Sequence, residues 1–191
     1  PNGSGKSTLL KAIFGILRPQ SGSVLLDDRD VTGLPAHRMV DLGAAFVPQT
    51  DNVFPHLSIR ENLEMGAFRR QSGTAERLDE LLSRFPDLAG RPGEQASRLS
   101  GGQRQSLAMC RALMLDPQLL LVDEPTAALS PLMRQELFKQ IETIRDTGVA
   151  VLMVEQNARE ALAISDRGYV LVNGAVALQT ALTFRVCGSQ P

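Results

Sequence analysis

The chain has 191 residues, of which 43% are hydrophobic, and its 20 Lys and Arg nearly balance its 21 Asp and Glu, for a net charge of −1. This balance argues against the broad basic surface of a nucleic-acid-binding protein, so no nucleic-acid partner is expected. No run approaches the ~18 apolar residues of a membrane span, and no leader pattern opens the chain. The two cysteines, Cys110 and Cys187, are too few for a disulfide scaffold. These features predict one soluble, cytosolic domain.

The chain opens with a glycine-rich turn, Pro1-Asn2-Gly3-Ser4-Gly5-Lys6-Ser7-Thr8, and a helical pattern that continues to about Leu17. Gly5-Lys6-Ser7 fills the last positions of the phosphate-loop pattern, whose opening glycine would stand immediately before Pro1. Backbone N–H groups of such a turn bind phosphate oxygens, and the following helix adds its positive end. Lys6 would neutralise the β- and γ-phosphates of a nucleotide, and the Ser7 hydroxyl would complete a Mg²⁺ shell. A turn that only caps a helix is the alternative.

Residues 58–114 show helical periodicity without strand-like runs. One apolar stripe contains Leu78, Leu81, Leu82 and Phe85, and part of another contains Leu107, Cys110 and Met114. We predict a helical subdomain at 58–114, inserted into a core formed by 1–57 and 115–174.

Within this subdomain, Leu99-Ser100-Gly101-Gly102-Gln103 precedes a helix predicted from Arg104 to Met114. Ser100 can cap the helix, and the two glycines leave its first amides open to an anion. A second anion site on a chain with one phosphate loop could serve the same nucleotide if two copies pack head to tail. The motif therefore suggests a site completed by a second copy of the chain.

A buried strand at Leu119–Val122 runs directly into Asp123 and Glu124. Carboxylates at the end of an apolar strand are costly unless a positive group lies nearby. In a phosphate-loop enzyme Asp123 would hold Mg²⁺, and Glu124 would orient or deprotonate the attacking water. A solvated acidic turn is the alternative.

The remaining elements alternate between helix and strand. Ser130 and Pro131 suit the start of a helix that ends near Gly148, and the apolar run 149–154 follows as a strand. A short helix from Ala158 to Ile164 then leads to a third strand, 169–172, and to a hairpin turn at Asn173-Gly174. The pattern predicts an α/β fold with a largely parallel sheet.

Together these motifs resemble the ATP-binding cassette (ABC) ATPases over residues 1–174. The resemblance implies a P-loop NTPase fold, ATP and Mg²⁺ as ligands, and an ATP-sandwich dimer. It implies that Gln49, in Phe46-Val47-Pro48-Gln49, lies near the metal and the attacking water, and that Ser100 and Gly102 face the γ-phosphate held by the partner. The implied catalytic residues are Glu124, Gln156 and Gln49, and the metal site is Ser7, Gln49 and Asp123. The implied nucleotide-binding residues are Asn2, Gly3, Ser4, Gly5, Lys6, Ser7, Thr8, Ser100, Gly101, Gly102 and Gln103.

Two positions depart from the family pattern. Gln156, in Val154-Glu155-Gln156-Asn157, stands where the family usually has His. A glutamine can donate a hydrogen bond to a phosphate but cannot carry a proton at neutral pH, which shifts the catalytic load to Glu124. Ser130 stands in the D-loop, 127–131, where Asp is common.

Several segments are similar to the ATP-binding subunits of branched-chain amino-acid importers, namely 33–38, 53–58, 154–162 and 166–171. The resemblance implies an integral membrane permease as partner, indirectly a substrate-binding protein, and a position on the inner face of the cell membrane. Another importer or exporter, or a soluble non-transport ABC protein, remains an alternative. In the family, Val53–Leu57 lies where a helix of the permease docks; a loop folded onto its own core is the other interpretation.

The ends of the chain complete the expectations. We interpret 1–191 as a single ABC ATPase domain that is incomplete at its N-terminus, lacking the strand before the phosphate loop and the aromatic residue that stacks on adenine. The resemblance fades after Gly174, so 175–191 is expected to be a divergent tail or an artefact of the sequence. A chain with these ends should bind ATP weakly.

Overall fold

A computed structural model describes residues 3–181 of the chain. Helices and strands are interspersed along this part of the chain. The first half contains α1 (Lys6–Ile13), β1 (Leu25–Leu26), β2 (Arg29–Asp30), α2 (Ala36–Asp41), β3 (Ala44–Val47), α3 (Ile59–Gly66), α4 (Thr74–Arg84) and α5 (Pro86–Ala89). After a 3₁₀ turn at Ala96–Arg98 come α6 (Gly101–Leu113), β4 (Leu119–Asp123), α7 (Pro131–Asp146), β5 (Ala150–Val154), α8 (Ala158–Ala163), β6 (Arg167–Val172) and β7 (Ala175–Ala181).

A parallel sheet with the strand order β3-β4-β5 lies at the centre of the fold. Leu121 of the middle strand pairs with Phe46 on one side and Leu152 on the other. Leu120, Leu121 and Val122 are fully buried, because elements cover both faces of β4. That burial explains the continuous apolar run of this strand, and it confirms the predicted α/β class.

The strand predicted at 169–172 forms, but it does not extend the parallel sheet. It belongs to β6, which pairs with β7 in an antiparallel hairpin, and within residues 3–181 the hairpin is a sheet of its own. The hairpin turn confirms the Asn173-Gly174 prediction, since both residues adopt positive φ angles, 51° and 79°. Residues 175–181, expected to begin a divergent tail, form β7 of this hairpin.

The first helix is shorter than predicted, since α1 ends at Ile13 rather than near Leu17. Gly15 follows with a φ angle of 80°, and a Cβ at this position would lie 2.0 Å from the Leu34 carbonyl oxygen. The chain therefore leaves the helix at a glycine that has both a left-handed backbone and a close backbone neighbour.

The region 58–114 is helical, as predicted, and it packs into the same hydrophobic core as β4 and α7. Both predicted stripes are buried, as the burial of Leu78, Leu81, Leu82, Phe85, Leu107, Cys110 and Met114 shows. Ser58 starts α3 with a capping box, accepting a hydrogen bond from the Glu61 amide. Burial raises the pKa of the Cys110 thiol far above its ordinary value, so this cysteine stays protonated as a packing residue.

This topology determines where the polar loops meet. The carboxyl ends of parallel strands lie at one edge of a sheet. Gln49 follows β3, Asp123 and Glu124 end β4, and Gln156 follows β5. These residues therefore converge although they are far apart in sequence. Among the described residues, no helix is long and apolar enough to cross a membrane.

Candidate nucleotide site

The phosphate-loop turn has the backbone shape that an anion cradle needs. Gly3 and Gly5 adopt φ angles of 77° and 87°, and Gly5 precedes α1 without a side chain to cap it. The β6–β7 turn contacts the phosphate-loop turn, since the Gly174 amide donates to the Ser4 carbonyl oxygen at 3.2 Å. Thr8 is exposed on α1, and the predicted Asn2 lies outside the described residues.

The Glu124 carboxylate lies at the centre of the site, where it is almost completely buried. Lys6 Nζ lies 3.5 Å from Oε1. Gln156 Nε2 donates to Oε2 at 2.6 Å, and Gln49 Nε2 donates to the same oxygen at 3.2 Å. Burial of a carboxylate is tolerated when a cation and hydrogen-bond donors surround it. The structure therefore brings four predicted site residues into one cluster.

The Asp123 carboxylate forms the second part of the site. It is 3% exposed, and its Oδ1 accepts a hydrogen bond from the Ser7 hydroxyl at 2.7 Å. A carboxylate and a hydroxyl side by side are the hard oxygen donors that Mg²⁺ prefers, so this pair fits the implied metal. Ser7 thus joins α1 directly to the end of the middle strand.

The second glycine motif forms the start of α6. Ser100 caps α6 through a capping box, in which the Gln103 amide donates to Ser100 Oγ and Gln103 Oε1 accepts from the Ser100 amide. A Cβ at Gly101 would lie 3.3 Å from Leu129, and one at Gly102 would lie 2.6 Å from Met133. The cap predicted for Ser100 is present, but the helix begins at Gly101 rather than at Arg104.

Sequence reasoning missed two polar bridges that hold the Glu124 turn in place. Gln105 of α6 donates through Nε2 to the Pro125 carbonyl oxygen at 3.0 Å and accepts from Asn52. Glu155 accepts from the Thr126 amide at 2.9 Å. The only sequence signal was the position of Glu155, a carboxylate directly after a strand that neighbours β4.

An apolar groove lies beside the loop 53–57 and has a volume of about 250 Å³. Its wall includes Phe54, Met65 and Phe68, which are 44%, 52% and 68% exposed. Val53 packs against the core instead, so the loop is partly folded inward and partly presented to solvent. Arg111 lies over the Phe54 ring at 4.9 Å and orients it.

Comparison with known proteins identifies the class of protein that carries this site. A family model described as ABC transporter matches residues 1–127, more than half of the chain. The chain belongs to the ABC transporter family. It is an ATP-hydrolysing enzyme, the ATPase subunit of a transporter.

Three relatives within the family show what the chain is similar to. The chain is 47% identical to a probable branched-chain amino acid transport ATP-binding protein, LivF, of Archaeoglobus fulgidus, over 93% of this chain and 76% of the relative. It is 42% identical to the high-affinity branched-chain amino acid transport ATP-binding protein BraG of Pseudomonas aeruginosa, over the same shares, 93% and 76%. It is 36% identical to the lipopolysaccharide export system ATP-binding protein LptB of Acidithiobacillus ferridurans, over 92% of this chain and 74% of the relative.

Solved structures confirm the predicted P-loop ATPase fold. The ADP conformation of an ATP-binding cassette of an ABC transporter matches with a TM-score of 0.87 and 26% identity, covering 95% of this chain and 77% of that one. A dimeric post-hydrolysis cassette bound to ADP and Pi matches with a TM-score of 0.83 and 28% identity, covering 97% and 84%.

The non-titrating side chain of Gln156 predicts a pH signature. In Gln156→His an imidazole with an ordinary pKa of about 6.5 would stand beside Glu124. We expect the pH profile of kcat for ATP hydrolysis to gain a step near that pH, because a histidine gains and loses a proton there and a glutamine does not.

The control is Gln179→His, which adds the same group on β7 outside the site. Steady-state ATPase rates between pH 5.5 and 8.5 check the prediction. Superimposable profiles for the two variants would contradict it.

Proposed function

We propose that the chain binds ATP and Mg²⁺ at the turn before α1, and that Glu124 is the base that activates water. The observation that supports this most is the cluster in which Lys6, Gln49 and Gln156 all contact the Glu124 carboxylate. The γ-phosphate of ATP would compete with Glu124 for Lys6, because both are anions. ATP binding would then release one oxygen of Glu124.

In the proposed reaction, the released Glu124 oxygen accepts a proton from water as the water oxygen bonds to the γ-phosphorus. The bond from phosphorus to the β,γ-bridging oxygen breaks, giving ADP and phosphate. Gln49 and Gln156 keep the carboxylate oriented through their amide donors, and neither side chain exchanges a proton. Such positioned base catalysis typically contributes about 10²–10⁴ in rate.

Ser7 and Asp123 would hold the Mg²⁺ together with Gln49. When bound, the ion neutralises charge on the phosphates. The support is the Ser7–Asp123 hydrogen bond, which places two oxygen ligands side by side at the start of α1. Gln49 reaches the same edge of the sheet through its contact with Glu124.

We infer that two copies of the chain form an ATP-sandwich dimer. The Ser100–Gln103 motif would then bind the γ-phosphate held by the other copy. One observation supports this: the motif stands at the start of a thirteen-residue helix, with Ser100 as its cap. Leu132, 65% exposed at the start of α7, offers an apolar contact for the partner.

We propose that the dimer energises an importer of branched-chain amino acids at the cytoplasmic face of the membrane, with a permease and indirectly a substrate-binding protein. The names of LivF and BraG support this substrate, and their identities exceed that of the exporter subunit LptB. In such a transporter the permease and the binding protein select the substrate. The support for branched-chain amino acids therefore comes from sequence similarity and not from residues of this site. Lipopolysaccharide export is the second candidate.

Lys6→Ala tests the nucleotide site. Loss of one charged contact to phosphate should weaken ATP binding by about tenfold to a hundredfold. In the full-length protein, titration with a fluorescent ATP analogue measures this. With permease and binding protein in vesicles, ATP-driven uptake of leucine should also disappear.

Lys11→Ala, on the same helix, is the matched control and should bind ATP normally. Equal affinities for the two variants would contradict the nucleotide site. Tight ATP binding without uptake of leucine, isoleucine or valine by the wild-type assembly would contradict only the substrate.

The apolar groove predicts a permease contact. Phe68→Ser removes its most exposed aromatic side chain and should reduce co-purification of the permease, because apolar burial drives such docking. ATP binding by the isolated subunit should stay unchanged.

The control is Leu25→Ser on β1. Leu25 is 62% exposed and does not line the groove. Permease recovery that is equal for Phe68→Ser, Leu25→Ser and wild type would show that the groove is not the docking site.

A further inference from the structure

The turn that carries Glu124 is held in a costly backbone shape. Glu124 has a φ angle of 45° and Ala128 one of 60°, and neither residue is a glycine. A left-handed backbone is unfavourable for a residue with a Cβ atom, which comes too close to the following carbonyl oxygen. Contacts from neighbouring residues must therefore stabilise the Glu124 turn. A residue that makes such contacts also determines the orientation of the Glu124 carboxylate.

Glu155 supplies the contacts on the β5 side. Its Oε1 accepts from the Thr126 amide at 2.9 Å. Its Oε2 accepts from the amides of Gln156 at 3.0 Å and Asn157 at 3.4 Å. Hydrogen bonds to an ionised acceptor are about twice as strong as neutral ones. One carboxylate thus ties the turn after β4 to the loop after β5.

A second pair of groups strengthens the same connection. Asn157 Nδ2 donates to Thr126 Oγ1 at 2.7 Å, and Arg134 Nη1 donates to Asn157 Oδ1 at 3.1 Å. Thr126 is 1% exposed, so its polar atoms must find partners within the protein. The Glu124 amide also donates to the Val154 carbonyl oxygen at 2.9 Å. The two loops are therefore connected at several points around Glu155.

We propose that Glu155 is a positioning residue for ATP hydrolysis. It makes no contact with the Glu124 carboxylate. It holds the backbone of Gln156 and the backbone after Glu124 at a fixed separation, so that Gln156 Nε2 stays on Glu124 Oε2 at 2.6 Å. This role rests on the proposed function of Glu124 as the base.

The role requires two acceptor oxygens. A neutral amide has only one oxygen, and its nitrogen would face a backbone N–H group. Glu155→Gln would keep contact with one loop and repel the other. Glu155→Asp retains both oxygens on a side chain that is one methylene shorter, so it should restore part of the lost rate.

The test measures kcat and KM for ATP in the full-length protein. Glu155→Gln should lower kcat by about tenfold, because misplacement of a catalytic group costs rate, with KM changed less than about twofold. Glu155→Asp should recover part of kcat. Glu142→Gln, which removes the same charge from α7, should match wild type, and thermal unfolding should confirm that all variants are folded.

A double variant separates positioning from general destabilisation. Glu155 acts through Gln156 and the Glu124 turn, so the double variant Glu155→Gln with Gln156→Ala should be no slower than the slower of the two single variants. Multiplied losses, or a normal kcat in Glu155→Gln, would overturn the proposal. If Glu124→Gln hydrolyses ATP at the wild-type rate, the proposed base fails. If Glu124→Gln is inactive while Glu155→Gln is normal, only the positioning role fails.

Discussion

The need to pair two carboxylates at the end of a buried strand organises this molecule. Asp123 and Glu124 are 3% and 7% exposed, and an isolated charge at such a depth is strongly unfavourable. The structure meets this need with a hydroxyl for Asp123, and with one ammonium group and two amides for Glu124. The strand order β3-β4-β5 brings these donors together, because the loops after β3 and β5 flank the end of β4 and α1 supplies Lys6 and Ser7.

The same donors are those that a nucleotide would need. Lys6 stands at the glycine turn and also contacts Glu124. In the proposed reaction a phosphate replaces Glu124 as its partner, and the two glutamines keep the released carboxylate aimed at the reacting centre. Because a glutamine at position 156 neither gains nor loses a proton, the loop after β5 would contribute orientation rather than proton transfer to the proposed reaction. Glu155 fits this account, since it fixes the backbone from which Gln156 extends.

A structural feature could be predicted from the sequence when a single chain segment forms it, and was harder to predict when several distant segments contribute. One-segment features, such as the glycine turn before Lys6, the caps at Ser100 and Ser130, and the apolar run before Asp123, followed from local patterns and are present. Contacts between Glu124 and the loops after β3 and β5 depend on strand order, which no local pattern specifies. The resemblance supplied Gln49 and Gln156, but it did not identify Glu155, because a carboxylate after a strand looks like a solvated residue until the neighbouring loop is known.

The account depends most on the carboxylate of Glu124, and Glu124→Gln tests it directly. The substitution preserves size but replaces one acceptor oxygen with an amide nitrogen and removes the charge and the basic oxygen, so water activation should fail while ATP still binds. ATP turnover and size-exclusion chromatography with ATP, both on the full-length protein, make the measurement. The account predicts that turnover is lost and that an ATP-bound dimer accumulates. A monomer that hydrolyses ATP at the wild-type rate would contradict it.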